Sequence, residues 1–366
     1  NKSKKVIVGM SGGVDSSVAA ALLQEQGYEV IGVFMYFWHD VSDKLQAIDT
    51  HIENRCCSRE AEEGARKVAQ KLGIKFYSIN VDKEFKKAVV DYFLFEYKQG
   101  RTPNPCIECN RSIKFGVMID KAMAIGADFV ATGHYVKKLK TKNLKLKINY
   151  KLLKAKDENK DQSYFLYTLN QKKLKHCLFP IGDYEKKDIR ILAKKYSFEI
   201  AERKESQEIC FIQSKRYGDF LKKYIKLIPG EIIDVSGDVL GKHKGLPLYT
   251  IGQRRDIGIG GTGPYYVIGM NRKKNQLIVS NNKNYKNLFS NELVVKKVNW
   301  ISGNISKFPL KIKAKVRYSM DEELVVVNKI KEKYAVKFSK AQRAVMPGQS
   351  IVFYKGSEIL GGGIIT

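Results

Sequence analysis

A chain of 366 residues exceeds what one small core organises and predicts two or three domains. A hydrophobic content of 43% excludes a disordered chain, and no apolar stretch reaches the roughly 20 residues a membrane-crossing helix needs. The 66 Lys+Arg against 38 Asp+Glu give a formal charge of +28, a field that concentrates phosphate-rich partners such as nucleic acid, although a solubilising surface or a lysine-biased genome gives the same count.

The opening NKSKKVIVGM runs directly into a buried-strand pattern without a signal-peptide cleavage site, so a reducing cytoplasm is expected. There the six cysteines read as catalytic or metal-binding rather than as a disulfide framework. Lys4–Met10 predicts a short buried strand, Asp15–Gln26 a helix ended by Gly27, and Glu29–Phe37 a second strand. Cys57–Leu72 predicts a charged amphipathic helix stopped by Gly73, and Ile74–Val81 a third strand. Helices over Lys83–Tyr97 and Ser112–Ile125 and a strand over Asp128–Thr132 follow. This alternation implies a doubly wound parallel sheet in an α/β domain, with ligands at the carboxyl ends of the strands. Lys137–Lys154 reads as an exposed lysine-rich hairpin, and Gln162–Cys177 and Lys186–Tyr196 as helices. After Pro229-Gly230, short strands alternate with turn signals, which predicts a small, mostly β domain and then a barrel from about Asn291.

SGGVDS, Ser11 to Ser16, lies between the first strand and the first helix. Gly12 and Gly13 lack Cβ atoms, so backbone amides can approach phosphate oxygens at a helix N-terminus. Ser11, Ser16 and Ser17 offer hydroxyl donors, and Asp15 can orient the turn or hold Mg²⁺ through water. There is no G-K-[ST] ending, so this is not the loop of kinases and GTPases. The plainer account is a glycine turn with a helix cap. Gly258-Ile259-Gly260-Gly261-Thr262-Gly263 also fits a dinucleotide fingerprint, but Pro264 and a strand pattern follow instead of a helix, so it reads as a β-domain loop.

Cys106 and Cys109 form a CxxC within RTPNPCIECN, where Pro103 and Pro105 predict a stiff loop rather than a helix. Cys210 follows in ESQEICFI. Three chemistries fit. Two cysteines can shuttle sulfur or close a disulfide in turnover; Cys106, Cys109 and Cys210 can hold three irons of a [4Fe–4S] cluster; a fourth from Cys56 or Cys57 would make a zinc site. Cys177 reads as core, His134 as a turn or packing residue rather than a base, and Tyr164, Phe165 and Tyr167 as core rather than a stacking platform.

SGGVDSSVAA, GRTPNPCIECNRSIKF, ATGHY, KDQSYFLYTL, ESQEICFI, TIGQRRDIGIGG, PGQSIVFY and LGGGII follow one another in this chain. In that order the chain resembles the tRNA-specific 2-thiouridylases, the MnmA/TrmU family, over nearly its whole length. The resemblance implies a PP-loop ATP pyrophosphatase-type catalytic domain over 1–210, a small central domain over 211–285 and a tRNA-binding C-terminal β-barrel over 286–366. It implies ATP, with Mg²⁺, at Gly9, Met10, Ser11, Gly12, Gly13, Val14, Asp15 and Ser16, lined by Met35 and Gly133. It places Asn104, Pro105 and Cys106 at the target base, Cys109 at the nucleophile position and Cys210 at the persulfide position. Lys160, Asp161, Gln162, Arg317 and Tyr318 match tRNA contacts near the anticodon. A monomeric, cytoplasmic enzyme fed by a persulfide or sulfide donor protein is implied. The best-known members carry Asp where this chain has Cys106. A thiol of ordinary pKa, roughly 8.5, is a poor stand-in for a carboxylate, which weakens a proton-transfer role there and strengthens the iron–sulfur option. The rival expectations are a lysidine synthetase, a 4-thiouridine enzyme, or an RNA-binding protein without catalysis.

Overall fold

The computed structural model describes residues 3–38, 58–142, 148–202, 209–212, 217–260, 263–303, 305 and 307–366. Cys56, Cys57 and the zinc option that depends on them lie outside the described residues, as does the first half of the ESQEICFI motif.

The first strands are β1 (Lys5–Gly9), β2 (Glu29–Tyr36), β3 (Lys75–Asn80) and β4 (Phe129–Thr132). A hairpin follows, β5 (Val136–Lys142) and β6 (Ile148–Lys154), then the two-residue β7 (Cys177–Leu178). β3-β2-β1-β4-β7 form one parallel sheet. The period-two geometry of a strand sorts its residues between two cores. Val6 and Val8 join the face covered by α1 (Val14–Glu25) and α2 (Arg59–Leu72); Ile7, Ile31, Val33 and Met35 join the other, under the helical segments between 82 and 124. The strand order turns back at β1, whose neighbours are β2 on one side and β4 on the other, and crevices at such switch points receive ligands.

α1 is short-chained where it packs, burying Ser16, Ser17, Val18, Ala19, Ala20 and Ala21 in succession, so it can lie close to the sheet. α2 is amphipathic, buries only Ala61, Ala65, Val68 and Ala69, and is capped at both ends: Ser58 Oγ accepts from Ala61 N at 3.1 Å, and Gly73 stands in the left-handed region at φ 64°. Losing such an N-cap costs about 1 kcal/mol.

Four expectations need correction. Lys83–Tyr97 is broken into Asp82–Phe85, a π-helical Lys86–Val90 and Asp91–Lys98. The helix expected over Ser112–Ile125 continues from the turn over Pro105–Cys109, is π-like over Asn110–Val117, and kinks at Phe115 before Met118–Ala124. Gln162–Cys177 is no continuous helix: a 3₁₀ turn over Ser163–Leu166, a single turn at Gln171–Leu174 and β7 replace it. Here tertiary bonds override helical spacing, since Tyr164 Oη donates to Ser350 O at 2.8 Å and Tyr167 Oη lies 3.1 Å from Ser350 Oγ. The β5–β6 hairpin is exposed only along part of its length; Val136 and Leu152 at its base are fully buried.

β8 (Gly230–Ile233), β9 (Val239–His243), β10 (Tyr266–Asn271) and β11 (Gln276–Ser280) make a separate four-stranded sheet around Ile232, Val267, Leu277 and Val279. The glycine run before Tyr266 leads into β10 and not into a helix, as expected. β12 (Phe289–Trp300), β13 (Leu310–Lys315), β14 (Glu323–Ile330), β15 (Lys333–Arg343), β16 (Ser350–Lys355) and β17 (Glu358–Ile365) close into an antiparallel barrel through the β12–β17 pairing. Trp300 stacks on Phe353 in its core, centroids 5.2 Å apart. β6 pairs with β17 through Leu153–Glu358 and Leu152–Ile359, so the first domain's hairpin extends the barrel sheet. Among the described residues no helix is long and apolar enough to cross a membrane.

Candidate active site

The SGGVDS segment leaves β1 at Gly9 and enters α1 at Val14, at the switch point. Gly12 has φ +70°, and a Cβ there would lie 2.1 Å from Ala61 O, so only glycine fits against the start of α2. Gly133, just after β4, packs as tightly from the other side, since its Cβ would fall 2.6 Å from Ser16 N. The loop is thus wedged between the start of α2 and the turn after β4. Ser16 and Ser17 are buried, and both hydroxyls donate back to Gly13 O, at 3.2 and 3.0 Å; Ser11 N in turn donates to Ser16 Oγ at 3.2 Å. Of the three hydroxyls expected to meet phosphate, Ser16 and Ser17 therefore brace the turn, while Ser11 is exposed above it. A Gly12→Ala chain is expected to lose at least about 2 kcal/mol of stability together with nucleotide binding, read by thermal unfolding with and without ATP; an undisturbed ATP-dependent shift in Tm would contradict the wedge.

Asp15 has a partner that sequence reasoning missed. Lys186 Nζ reaches both its carboxylate oxygens, at 2.8 and 2.9 Å, and Tyr135 Oη donates to Oδ1 at 2.6 Å. The Lys186 ammonium also lies 5.8 Å from the Tyr135 ring centroid. Lys186 is 9% exposed, at the first turn of the Lys186–Lys195 helix. A lysine is buried only when paired, and here its partner is the carboxylate of the phosphate loop itself. The signal in the sequence was faint: Lys186-Lys187 looks like any solvated pair, and only burial separates them. With both oxygens so engaged, Asp15 fits the turn-orienting role, not that of a direct metal ligand.

His134 is 7% exposed, its Nδ1 lying 2.7 Å from Thr132 Oγ1 and its ring against Phe115. Burial, helped by Lys114, holds its pKa well below the usual imidazole range, so it is a neutral packing residue. The unfolded chain takes up that proton near pH 6.5, so the stability His134 contributes is complete above about 6.5 and declines below it, by at most about 1.4 kcal/mol per pH unit. The urea midpoint is expected to fall between pH 7 and 5.5, and to fall less steeply in His134→Gln; equal slopes would refute this assignment.

Cys106 and Cys109 lie on a short helix, Pro105–Cys109, and not on the loop expected from Pro103 and Pro105. Pro105 occupies the first turn, where its missing N–H is harmless, and Asn104 caps the helix, its Oδ1 accepting from Ile107 N at 3.3 Å. Cys106 is exposed and Cys109 buried. Cys210 is half-buried and borders the same apolar cluster as Cys109, beside Phe211, which packs on Phe85, Phe93 and Phe220. Among the described residues no three His, Cys, Asp or Glu side chains converge to hold a metal ion. Cys177 is fully buried and its thiol is pushed up to about 12 by burial, as a core residue.

The expected RNA-contact residues are brought together from two domains. Phe165 packs on Tyr318 with ring centroids 4.7 Å apart, and Lys160 and Asp161 lie close enough to Tyr318 to act on its hydroxyl electrostatically. Tyr318 is 40% exposed. Arg317 donates to Ala344 O, while its buried Nε has no hydrogen-bond partner among the described residues. Asp161 is buried and accepts from Ala155 N at 3.0 Å and Ser163 Oγ at 2.7 Å, so it shapes the turn. Gln162 Oε1 accepts from Tyr135 N at 3.0 Å, joining this group to the Asp15 network. Tyr164 and Tyr167 are core, as expected.

A parallel sheet with a glycine-serine loop at its switch point, followed by a small β domain and a barrel, defines a nucleotide-binding α/β enzyme with accessory β domains. Three family models divide the chain in this way: a tRNA methyl transferase HUP domain over 4–214, a tRNA methyl transferase PRC-barrel domain over 218–281, and an aminomethyltransferase beta-barrel domain over 290–365. The chain is 46% identical to tRNA-specific 2-thiouridylase MnmA 2 of Clostridium tetani over 99% of its own length and 98% of that protein. It is 46% identical, with the same coverage, to tRNA-specific 2-thiouridylase MnmA of Clostridioides difficile, and 45% identical to MnmA 1 of Clostridium botulinum over 99% of each chain. The chain belongs to the tRNA-specific 2-thiouridylase family.

Proposed function

We propose that this chain carries out ATP-dependent 2-thiolation of the wobble uridine of tRNA, giving 2-thiouridine, AMP and pyrophosphate. The observation that carries the reading is the wedged loop of Gly12 and Gly133 with the Asp15–Lys186 pair beside it. A methyl transfer, the word in the family-model descriptions, has no use for a pyrophosphate cradle, whereas activating a carbonyl oxygen does. The lysidine, 4-thiouridine and non-catalytic readings are not favoured by relatives that match the whole chain as 2-thiouridylases.

A uracil carbonyl is a weak electrophile with no leaving group. Its 2-oxygen attacks the α-phosphorus of ATP and pyrophosphate departs, its charge met by loop amides, the α1 dipole and Lys186. Mg²⁺, met through water by Asp15 of the loop, would neutralise phosphate charge there. The terminal sulfur of a Cys210 persulfide attacks C2 and displaces AMP together with the old oxygen. The Cys109 thiolate then attacks the Cys210 sulfur, releasing the thiocarbonyl and leaving a Cys109–Cys210 disulfide, which an external thiol reduces. The donor protein supplies the persulfide sulfur.

Gly9, Met10, Val14 and Met35 complete the nucleotide site in this reading. Asn104, Pro105 and Cys106 meet the extruded base, and Lys160, Gln162, Arg317 and Tyr318 meet the anticodon region, with affinity drawn from phosphate contacts. A catalytic domain to about residue 210, a central domain to about 285 and a barrel beyond it share these tasks. The test is mass analysis of tRNA nucleosides after incubation with ATP and a persulfide donor. Replacement of one oxygen by sulfur at the wobble uridine is expected; ATP turnover with unmodified uridine would overturn the proposal.

A further inference from the structure

The helix that carries Cys106 and Cys109 is reached through a six-residue link, 99–104, whose backbone is held from three directions. The preceding helix, Asp91–Lys98, ends in a left-handed glycine turn: Gly100 has φ +65°, Gly100 N donates to Tyr97 O at 2.9 Å and Arg101 N to Glu96 O at 2.9 Å. Such a turn satisfies those two carbonyls and leaves the last two, of Lys98 and Gln99, without intrahelical donors. Arg272, in the tight turn between β10 and β11 of the central domain, donates to both of them, one through each terminal nitrogen. A fork of donors on two adjacent carbonyls at the negative end of a helix dipole is a geometry that arginine fits and lysine only half fulfils.

Immediately downstream, Arg101 is locked to Glu96 by two bonds of 2.6 and 2.7 Å, with the Glu96 side chain only 10% exposed. Thr102 N donates to Pro347 O of the barrel at 2.9 Å, and Gly348, at φ +91°, lets the barrel approach so closely that a Cβ there would lie 2.9 Å from Arg101 Cβ. Pro103 and Pro105 then remove the slack that remains before the Asn104 cap.

We propose that Arg272, opposed by Pro347-Gly348, is a positioning residue for sulfur transfer: it fixes the helix end from which the link to the cysteine helix is measured. Arg272 therefore acts through the helix that carries Cys106 and Cys109 and makes no direct contact with nucleotide or base. This rests on the reading of Cys109 as the thiol that completes sulfur transfer. The nucleotide cradle, built on β1, β4, α1 and α2, takes no part in the link, so the two half-reactions should separate.

The experiment compares Arg272→Ala, Arg272→Lys and Gly348→Ala in the full chain with tRNA, ATP and a persulfide donor, measuring pyrophosphate released and 2-thiouridine made. Displacement of a reacting group by about 1 Å costs up to about a hundredfold, so thiouridine formation is expected to fall roughly tenfold to a hundredfold in Arg272→Ala. Pyrophosphate release, which feels the link only through the base held by Asn104, Pro105 and Cys106, should fall less than thiouridine formation, which raises the pyrophosphate-to-thiouridine ratio. Arg272→Lys should recover part of the coupling, and Gly348→Ala should uncouple from the barrel side. Alkylation of Cys109 by iodoacetamide, followed by mass mapping with no RNA present, should be faster in Arg272→Ala at unchanged Tm. An unchanged ratio and unchanged alkylation, or a parallel fall of both products with Tm, would overturn the inference. A native chain that makes no thiouridine would sink the functional reading instead, and the alkylation rates would still decide the role of Arg272.

Discussion

Lys186→Met is expected to lower ATP-dependent pyrophosphate release by about 10²–10³-fold, the scale of removing one preorganised donor from a site of developing charge. Methionine keeps the packing of the aliphatic stem, so the loss isolates the ammonium. Breaking a fully buried ion pair costs about 3–5 kcal/mol because one charge is stranded. Here the Asp15 side chain is 28% exposed and keeps its bond to Tyr135, so the stability loss should lie below that range. Pairing Lys186→Met with Asp15→Asn removes the stranded charge and should restore Tm without restoring activity. That divergence separates a role in phosphate chemistry from one in folding, because a purely structural pair would recover both. Single-turnover release of labelled pyrophosphate in the presence of tRNA is the measurement, and a native rate in Lys186→Met would remove Lys186 from the mechanism.

Cys109→Ser and Cys210→Ser are each expected to suppress thiouridine formation by more than about 10³-fold while pyrophosphate release continues, because a hydroxyl can neither carry nor accept sulfane sulfur. The two should differ in what accumulates. Cys210→Ser takes up no labelled sulfur from the donor at all. Cys109→Ser takes it up but stalls, leaving RNA covalently held through Cys210, visible as a reducible high-mass band. Cys106→Ser is the discriminating third member. If all three thiols held one cluster, its loss would equal the others; in the route through Cys109 and Cys210 the exposed Cys106 touches the base without carrying sulfur, and a loss of about tenfold or less is expected. Equal, complete losses in all three, with iron in anaerobically purified protein, would overturn the two-thiol route.

The parts of this molecule that were legible in sequence are those where local preference and tertiary demand agree. Val6, Ile7 and Val8 are apolar on both faces, which only a doubly covered strand tolerates, and the glycines after them could be read as a turn because Gly12 has no room for a side chain. α2 carried its own cap and stop in Ser58 and Gly73. What escaped was set by distant contacts or by local caps and turns that the residue types alone do not announce. Prolines 103 and 105 suggested a loop, but Pro105 follows the cap Asn104 and so begins a helix. The aromatic spacing of 162–177 suggested a helix until its tyrosines were claimed by Ser350 of the barrel. Asp161 stood in a motif associated with RNA contact, yet its oxygens are occupied by its own turn. Lys186 and Arg272 lie 171 and 173 residues from the groups they serve, Asp15 and Gln99, a separation that no local pattern encodes.

The strand β17 bonds to β16, to β12 and to β6, so one strand belongs at once to the barrel and to the catalytic domain. Lys154 N donates to Ser357 O at 2.8 Å, and the amide of Asn299 reaches Tyr167 O at 2.7 Å across the same seam. A swing of one body against the other would have to tear main-chain ladders as well as side-chain bonds. The spacing between catalytic domain and barrel is therefore held by main-chain bonds at this seam, a gauge against which an anticodon loop with its wobble base turned out of the stack would be measured.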